Sequence, residues 1–186
     1  MAQYNTPQAI RPLEKLVCDF AYSNGYDPMS VFNDFLRYVI HGFSPGAPPL
    51  MDWKYKRLQN RFFMELLTGW IQLMQRKLQS CEWFDAFGDL FMAISSKSGR
   101  QVNGQFFTPP DICDLMVLCT DTEEKATGKR ISDPTCGSGR LLLAYHVHHL
   151  GNYLVAEDVS RTCCLMTVCN MLVHGCIGEV IHHDSL

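Results

Sequence analysis

The sequence contains no run of about 18 apolar residues, so no membrane-spanning helix is expected. Its opening stretch, MAQYNTPQAIRPLEK, has no apolar segment of the secretory kind. It has no basic surplus: 16 Lys and Arg against 19 Asp and Glu give a net charge of −3. Any contact with nucleic acid would therefore rest on a local patch or on another subunit. The best such patch, Lys54, Lys56, Arg57 and Arg61, reads as the solvated face of a helix. Among the 9 cysteines there is no Cys-x-x-Cys pair, and Cys176 with His182 and His183 fits no standard ligand spacing, so no metal site is expected. The cysteine count is odd, and Cys163, Cys164 and Cys169 lie on an apolar helical stretch. They read as reduced core thiols of a cytoplasmic protein rather than as a disulfide framework. Neither an internal repeat nor a low-complexity tract is present.

Apolar residues make up 47% of the chain, enough for a sizeable core. The first part reads as helices. Thr6-Pro7 and Asp27-Pro28 are cap-then-proline starts. VFNDFLRYVIHGF carries apolar residues at helical spacing and stops near Ser44-Pro45-Gly46. A helix is expected from about Trp53 to Leu78, through Phe62, Leu66, Trp70 and Leu73, and another over Trp83 to Ser95. The polar stretch SSKSGRQVNG is the best boundary, giving a helical domain over 1–97 and a second domain over 98–186. Beyond it helices and strands alternate. Thr108 is expected to cap a helix with Pro109 at its first position. Strands are expected at 129–132, 152–156 and 178–182, with helices over 139–150 and from Arg161 to His174, the last stopped by Gly175. This alternation predicts a parallel sheet with right-handed crossovers.

The stretch DPTCGSGRLLLAY, at 133–145, places two glycines in a strand-to-helix turn. A phosphate-binding loop would end in Gly-Lys-Ser/Thr, but Arg140-Leu141 follows here. A dinucleotide fingerprint would place a third small residue where Leu142 stands. What remains is a nucleoside cofactor without a pyrophosphate, its amino-acid tail against the glycines and its carboxylate at the helix N-terminus. A ribose needs a carboxylate at the end of the next strand, and Glu157 and Asp158 stand there. Asp184, past the third strand, is placed to face the adenine.

Three segments together resemble the adenine-specific DNA methyltransferases, in particular the modification subunits of type I restriction-modification systems. They are GQFFTPPDICDLM, DPTCGSGRLLLA and AEDVSRTCCLMTVCNMLVHG, with DAFGDLFMAIS leading into the first. The resemblance is specific over about 85–186 and generic before that. It implies an α/β fold: a helical N-terminal domain, then the first half of a Rossmann-like S-adenosylmethionine-dependent methyltransferase sheet. It implies that Phe106, Phe107, Thr108 and Pro109 line the methionine end of S-adenosylmethionine. Asp133, Thr135, Cys136, Gly137, Ser138 and Gly139 form the glycine motif that meets its amino and carboxylate groups. Asp158 rather than Glu157 is the ribose acid, because its distance to Asn170 matches the family, and Asp184 approaches the adenine amino group. The implied partners, through the complete protein, are DNA and specificity and restriction subunits; no membrane is expected.

In this family an Asn/Asp-Pro-Pro-aromatic motif presents a flipped adenine to the methyl donor. That motif is absent: Thr108 precedes Pro109-Pro110, and Asp111 follows. The chain therefore reads as an N-terminal piece that ends at HHDSL before a fourth strand, holds the cofactor half-site and does not methylate by itself. A sheet cut there would expose a strand edge open to self-association. Two other readings stay open on the residues: a nucleotide-cofactor-dependent oxidoreductase, and a non-catalytic helical assembly module.

Overall fold

The computed structural model describes residues 5–46, 54–97, 107–120 and 127–185. The chain divides into two compact units, Met1–Gly104 and Gln105–Leu186. The first is all-helical and the second mixed α/β. None of the described helices is long and apolar enough to cross a membrane.

The first unit holds α1 (Arg11–Ser23), α2 (Pro28–Phe43), α3 (Arg57–Leu78) and α4 (Ala86–Lys97). The core comes from one stripe of each helix: Val17 and Ala21, then Phe32, Phe35 and Leu36, then Leu66, then Phe87 and Leu90, none more than 1% exposed. Trp70 and Phe87 meet with ring centroids 5.0 Å apart. Starts follow local chemistry. Asp27 caps α2 by accepting from the Ser30 amide at 3.1 Å, with Pro28 at the first helical position. Asp85 accepts from the Gly88 amide at 2.7 Å, which fixes the start of α4 three residues after the expected Trp83. Thr6-Pro7 does not open α1 as expected. The Ile10 and Arg11 amides both donate to the Pro7 carbonyl in a preceding turn, and the helix proper begins at Arg11, one residue before Pro12. Lys54 is engaged within the unit, donating to Asp34 and to Ser30, each at 2.8 Å. Lys56 and Arg61 are exposed, as a solvated face requires.

The second unit holds α5 (Pro110–Thr120), β1 (Arg130–Asp133), α6 (Arg140–His148), β2 (Tyr153–Asp158), α7 (Arg161–His174) and β3 (Ile177–His182). The strands form a three-stranded parallel sheet in the order β1-β2-β3. The central strand is the apolar one: Leu154, Val155 and Ala156 are buried, as a strand covered on both faces must be. Leu142 of α6 and Met171 of α7 join Leu154 and Ala156 in one cluster. α7 keeps its expected bounds because both ends are set locally: Ser160 accepts from the Cys163 amide, and Gly175 takes the left-handed conformation at φ 68°.

Two differences from the expected elements bear on the site. α5 begins one residue late. Pro109's carbonyl accepts from the Cys113 amide at 3.1 Å, so Pro109 rather than Thr108 is the cap residue and Pro110 opens the helix. β2 runs on through Glu157 and Asp158, because β3 stays paired with it to the register Asp158↔His182. The two acids are therefore strand residues, and successive strand side chains point to opposite faces.

Candidate functional site

β1 delivers Asp133 to the start of a tight turn. The turn needs left-handed backbone at Gly137 (φ 57°) and Gly139 (φ 86°), a conformation that favours glycine. Three outside groups hold it. Thr167 of α7 donates to the Gly137 carbonyl at 2.9 Å, and Asn170, one helical turn later, donates to the Ser138 carbonyl at 2.8 Å. From the sheet, Asp158 accepts the Gly137 amide at 2.9 Å. Asp158's other oxygen accepts the Ser160 amide at 2.7 Å, so one carboxylate ties the turn to the start of α7. The Gly137 and Gly139 amides are engaged inside the fold, on Asp158 and on the Cys136 carbonyl. The expected approach of backbone amides to a ligand thus falls to the first turn of α6, which has no side-chain cap.

Beside the turn lies a cleft of about 370 Å³. Its lining includes Phe107 and Thr108, the turn residues Asp133, Thr135, Cys136, Gly137 and Ser138, and Asp158. Phe107 stands so close that a Cβ on Gly137 would lie 2.9 Å from its ring. Gly139 lies behind the lining, and a Cβ there would sit 3.0 Å from Thr167 Cγ2. Four of the other expected residues stand elsewhere or outside view. Pro109 is exposed and serves the helix start. Glu157 is turned away to pair with His183 at 2.6 Å. Asp184 is exposed and does not line the cleft, and Phe106 falls outside the described residues.

A family model described as N-6 DNA methylase matches residues 83–186. The chain belongs to the N-6 DNA methylase family. It is also similar to the type I restriction enzyme MjaVII methylase subunit of Methanocaldococcus jannaschii, at 27% identity over 103 residues. That alignment covers 52% of this chain and 17% of the relative. No solved structure matches.

Sequence reasoning missed several residues of this N-6 DNA methylase cleft. Met116, Arg140, Leu141 and Cys163 line it, and Thr167 and Asn170 support it from behind. Two signals were available. Thr167 and Asn170 are polar residues three apart within the apolar middle of the helix, a spacing that puts both on one buried face and obliges them to find partners. Arg140 places a cation at the positive end of a helix, against the macrodipole.

The cleft is acidic, and its electrostatics are strained. Burial pushes the Asp133 carboxyl above its usual value of 3.8, and the nearby Asp158 charge adds to the rise; the Thr135 amide, donating at 3.1 Å, offsets part of it. The Cys136 thiol is pushed up to about 12, first by burial, so it stays protonated. A carboxyl whose pKa is raised by folding costs stability while ionised: folding then favours the protonated form, and stability falls as pH rises through the window between the usual and the raised value. Asp133→Asn keeps an oxygen for the Thr135 amide and removes the charge. Its stability at pH 7 is expected to equal or exceed that of the wild type. The variant is expected to lose the part of the stability change between pH 4 and pH 7 that belongs to Asp133, read by denaturant unfolding across that range.

Proposed function

We propose that the cleft binds S-adenosylmethionine, and that the chain is the cofactor-binding portion of a DNA adenine methyltransferase of the type I restriction-modification kind. The observation that carries this reading is the convergence of Asp133, the Gly137 turn and buried Asp158 on one cleft with Phe107 and Thr108. The volume suits a small ligand, since such pockets hold about 300–1,000 Å³. The donor set suits this one. Asp158 already accepts two amides, and each oxygen keeps a lone pair for a ribose hydroxyl. Asp133 offers a carboxylate to an ammonium, and the α6 N-terminus offers a positive end to a carboxylate. When bound, S-adenosylmethionine supplies a methyl group on a positively charged sulfur.

The chain's own residues bind and orient that donor. Thr167 and Asn170 keep the turn rigid so that the ligand is held in one pose. Presentation of the acceptor adenine belongs to an Asn/Asp-Pro-Pro-aromatic motif, which this sequence does not contain. The chain alone is therefore expected to bind the donor without transferring its methyl group. DNA, specificity and restriction subunits, and a cytoplasmic setting, are the partners and place proposed for the complete protein.

Calorimetric titration of the chain tests this. S-adenosylmethionine and S-adenosylhomocysteine are expected to bind, NAD is not, and Asp133→Asn is expected to weaken both ligands at least tenfold, about 1.4 kcal/mol. Binding of NAD alone would transfer the site to oxidoreductase chemistry. Incorporation of labelled methyl groups into DNA by the isolated chain would refute the division of labour.

A further inference from the structure

We propose that Arg140 is a positioning residue that fastens Phe107 and Thr108 as a fixed wall of the cleft, and so sets how fast a ligand held there departs. Arg140 opens α6 and lies against the sense of the helix dipole. A long cationic side chain in that position normally reaches out to water. This one is only 7% exposed and lines the cleft.

Its contacts account for the burial. Arg140 Nη1 donates to the Thr108 carbonyl at 3.2 Å. The guanidinium carbon lies 5.6 Å from the centroid of the Phe107 ring, within cation–π range. The edge of that ring also lies against Gly137. The Cys113 thiol also approaches the Thr108 carbonyl, at 3.8 Å, so the carbonyl is met from α5 and from α6. Pro109 and Pro110 follow and restrict the backbone, so the segment shifts as a piece or stays put. A planar fork can hold a ring and a carbonyl together; an ammonium is a point charge and holds them less well.

The consequence for ligands rests on the S-adenosylmethionine reading. Phe107 abuts the glycine turn beside Asp133, the end of the cleft assigned to the amino-acid tail. Fastening this wall retains ligands that carry the tail and matters little for those that lack it.

The test uses the full chain with Arg140→Met and Arg140→Lys. Hydrogen exchange is measured without ligand, and dissociation rates are measured for S-adenosylhomocysteine and for 5′-methylthioadenosine, which has no amino-acid tail. In Arg140→Met, exchange over 110–120 is expected to rise several-fold while 153–174 stays protected. S-adenosylhomocysteine is expected to leave about tenfold faster and 5′-methylthioadenosine at a rate within about twofold of wild type. Arg140→Lys is expected to fall between. Unchanged exchange over 110–120, loosening of both segments together, or equal acceleration of both ligands would overturn the proposal. If the wild-type chain binds neither ligand, the S-adenosylmethionine reading fails, and the exchange measurement alone decides the fastening role.

Discussion

Asp158→Ala is expected to abolish measurable cofactor binding and to lower the stability of the second unit by about 2–4 kcal/mol. The carboxylate is 9% exposed and accepts two backbone amides, from Gly137 at 2.9 Å and from Ser160 at 2.7 Å. Alanine leaves both donors without that acceptor, at the turn and at the start of α7 together. A hydrogen bond to a charged group is worth about 1.5–3 kcal/mol, and an unsatisfied buried amide adds its desolvation cost. Asp158→Asn separates the two contributions. Its one remaining oxygen can serve Ser160, but its amide group then faces the Gly137 N–H, donor against donor. It should retain about half the stability loss and still fail to bind. Removing the Asp158 charge also lowers the Asp133 carboxyl toward its usual range, because that charge is one cause of the rise. Denaturant unfolding, with titration of Asp133 by NMR, reads all three effects. Wild-type affinity in Asp158→Ala would remove this residue from the site.

Gly178→Ala is expected to be the most damaging change that does not touch the cleft, at about 2–4 kcal/mol or failure to fold the second unit. Gly178 pairs with Leu154 across the β2–β3 ladder. A Cβ there would collide with the Leu154 carbonyl, and it would also lie 2.8 Å from the Met171 methyl. The methionine end can swing aside, whereas the carbonyl belongs to the backbone of the central strand. Relief requires β3 to move away from β2, which loosens the ladder and the seat of α7. Because β3 also carries the register that keeps Asp158 in the ladder, binding should fall with stability. Measured stability equal to wild type would refute the tight β2–β3 contact at Gly178.

The local signals in the sequence were reliable where one short segment decides the outcome. Gly175 stops α7 where expected because a left-handed stop acts within a turn of itself. The turn at 133–139 was legible for the same reason: the backbone angles found at Gly137 and Gly139 favour glycine. Thr108 misled because two adjacent prolines offer two starts. The choice between them fell to which carbonyl receives the Cys113 amide.

The sequence by itself determined the composition of the proposed site: a carboxylate, a glycine turn, and a second carboxylate one strand later. It also determined the helical character of the first unit, since apolar spacing and caps act over a few residues. Only the tertiary structure shows why Asp158, which the resemblance already favours, lines the cleft while Glu157 does not. Glu157 and Asp158 differ by one position on a strand, and one position is the difference between opposite faces. Their assignment depends on a ladder with β3, whose partner residues lie 24 positions later in sequence. The same holds for Arg140, whose burial depends on a carbonyl and a ring 32 and 33 residues earlier. Contacts of that range leave no periodicity to read, because they are set by how α5 and α6 pack and not by the propensity of either helix.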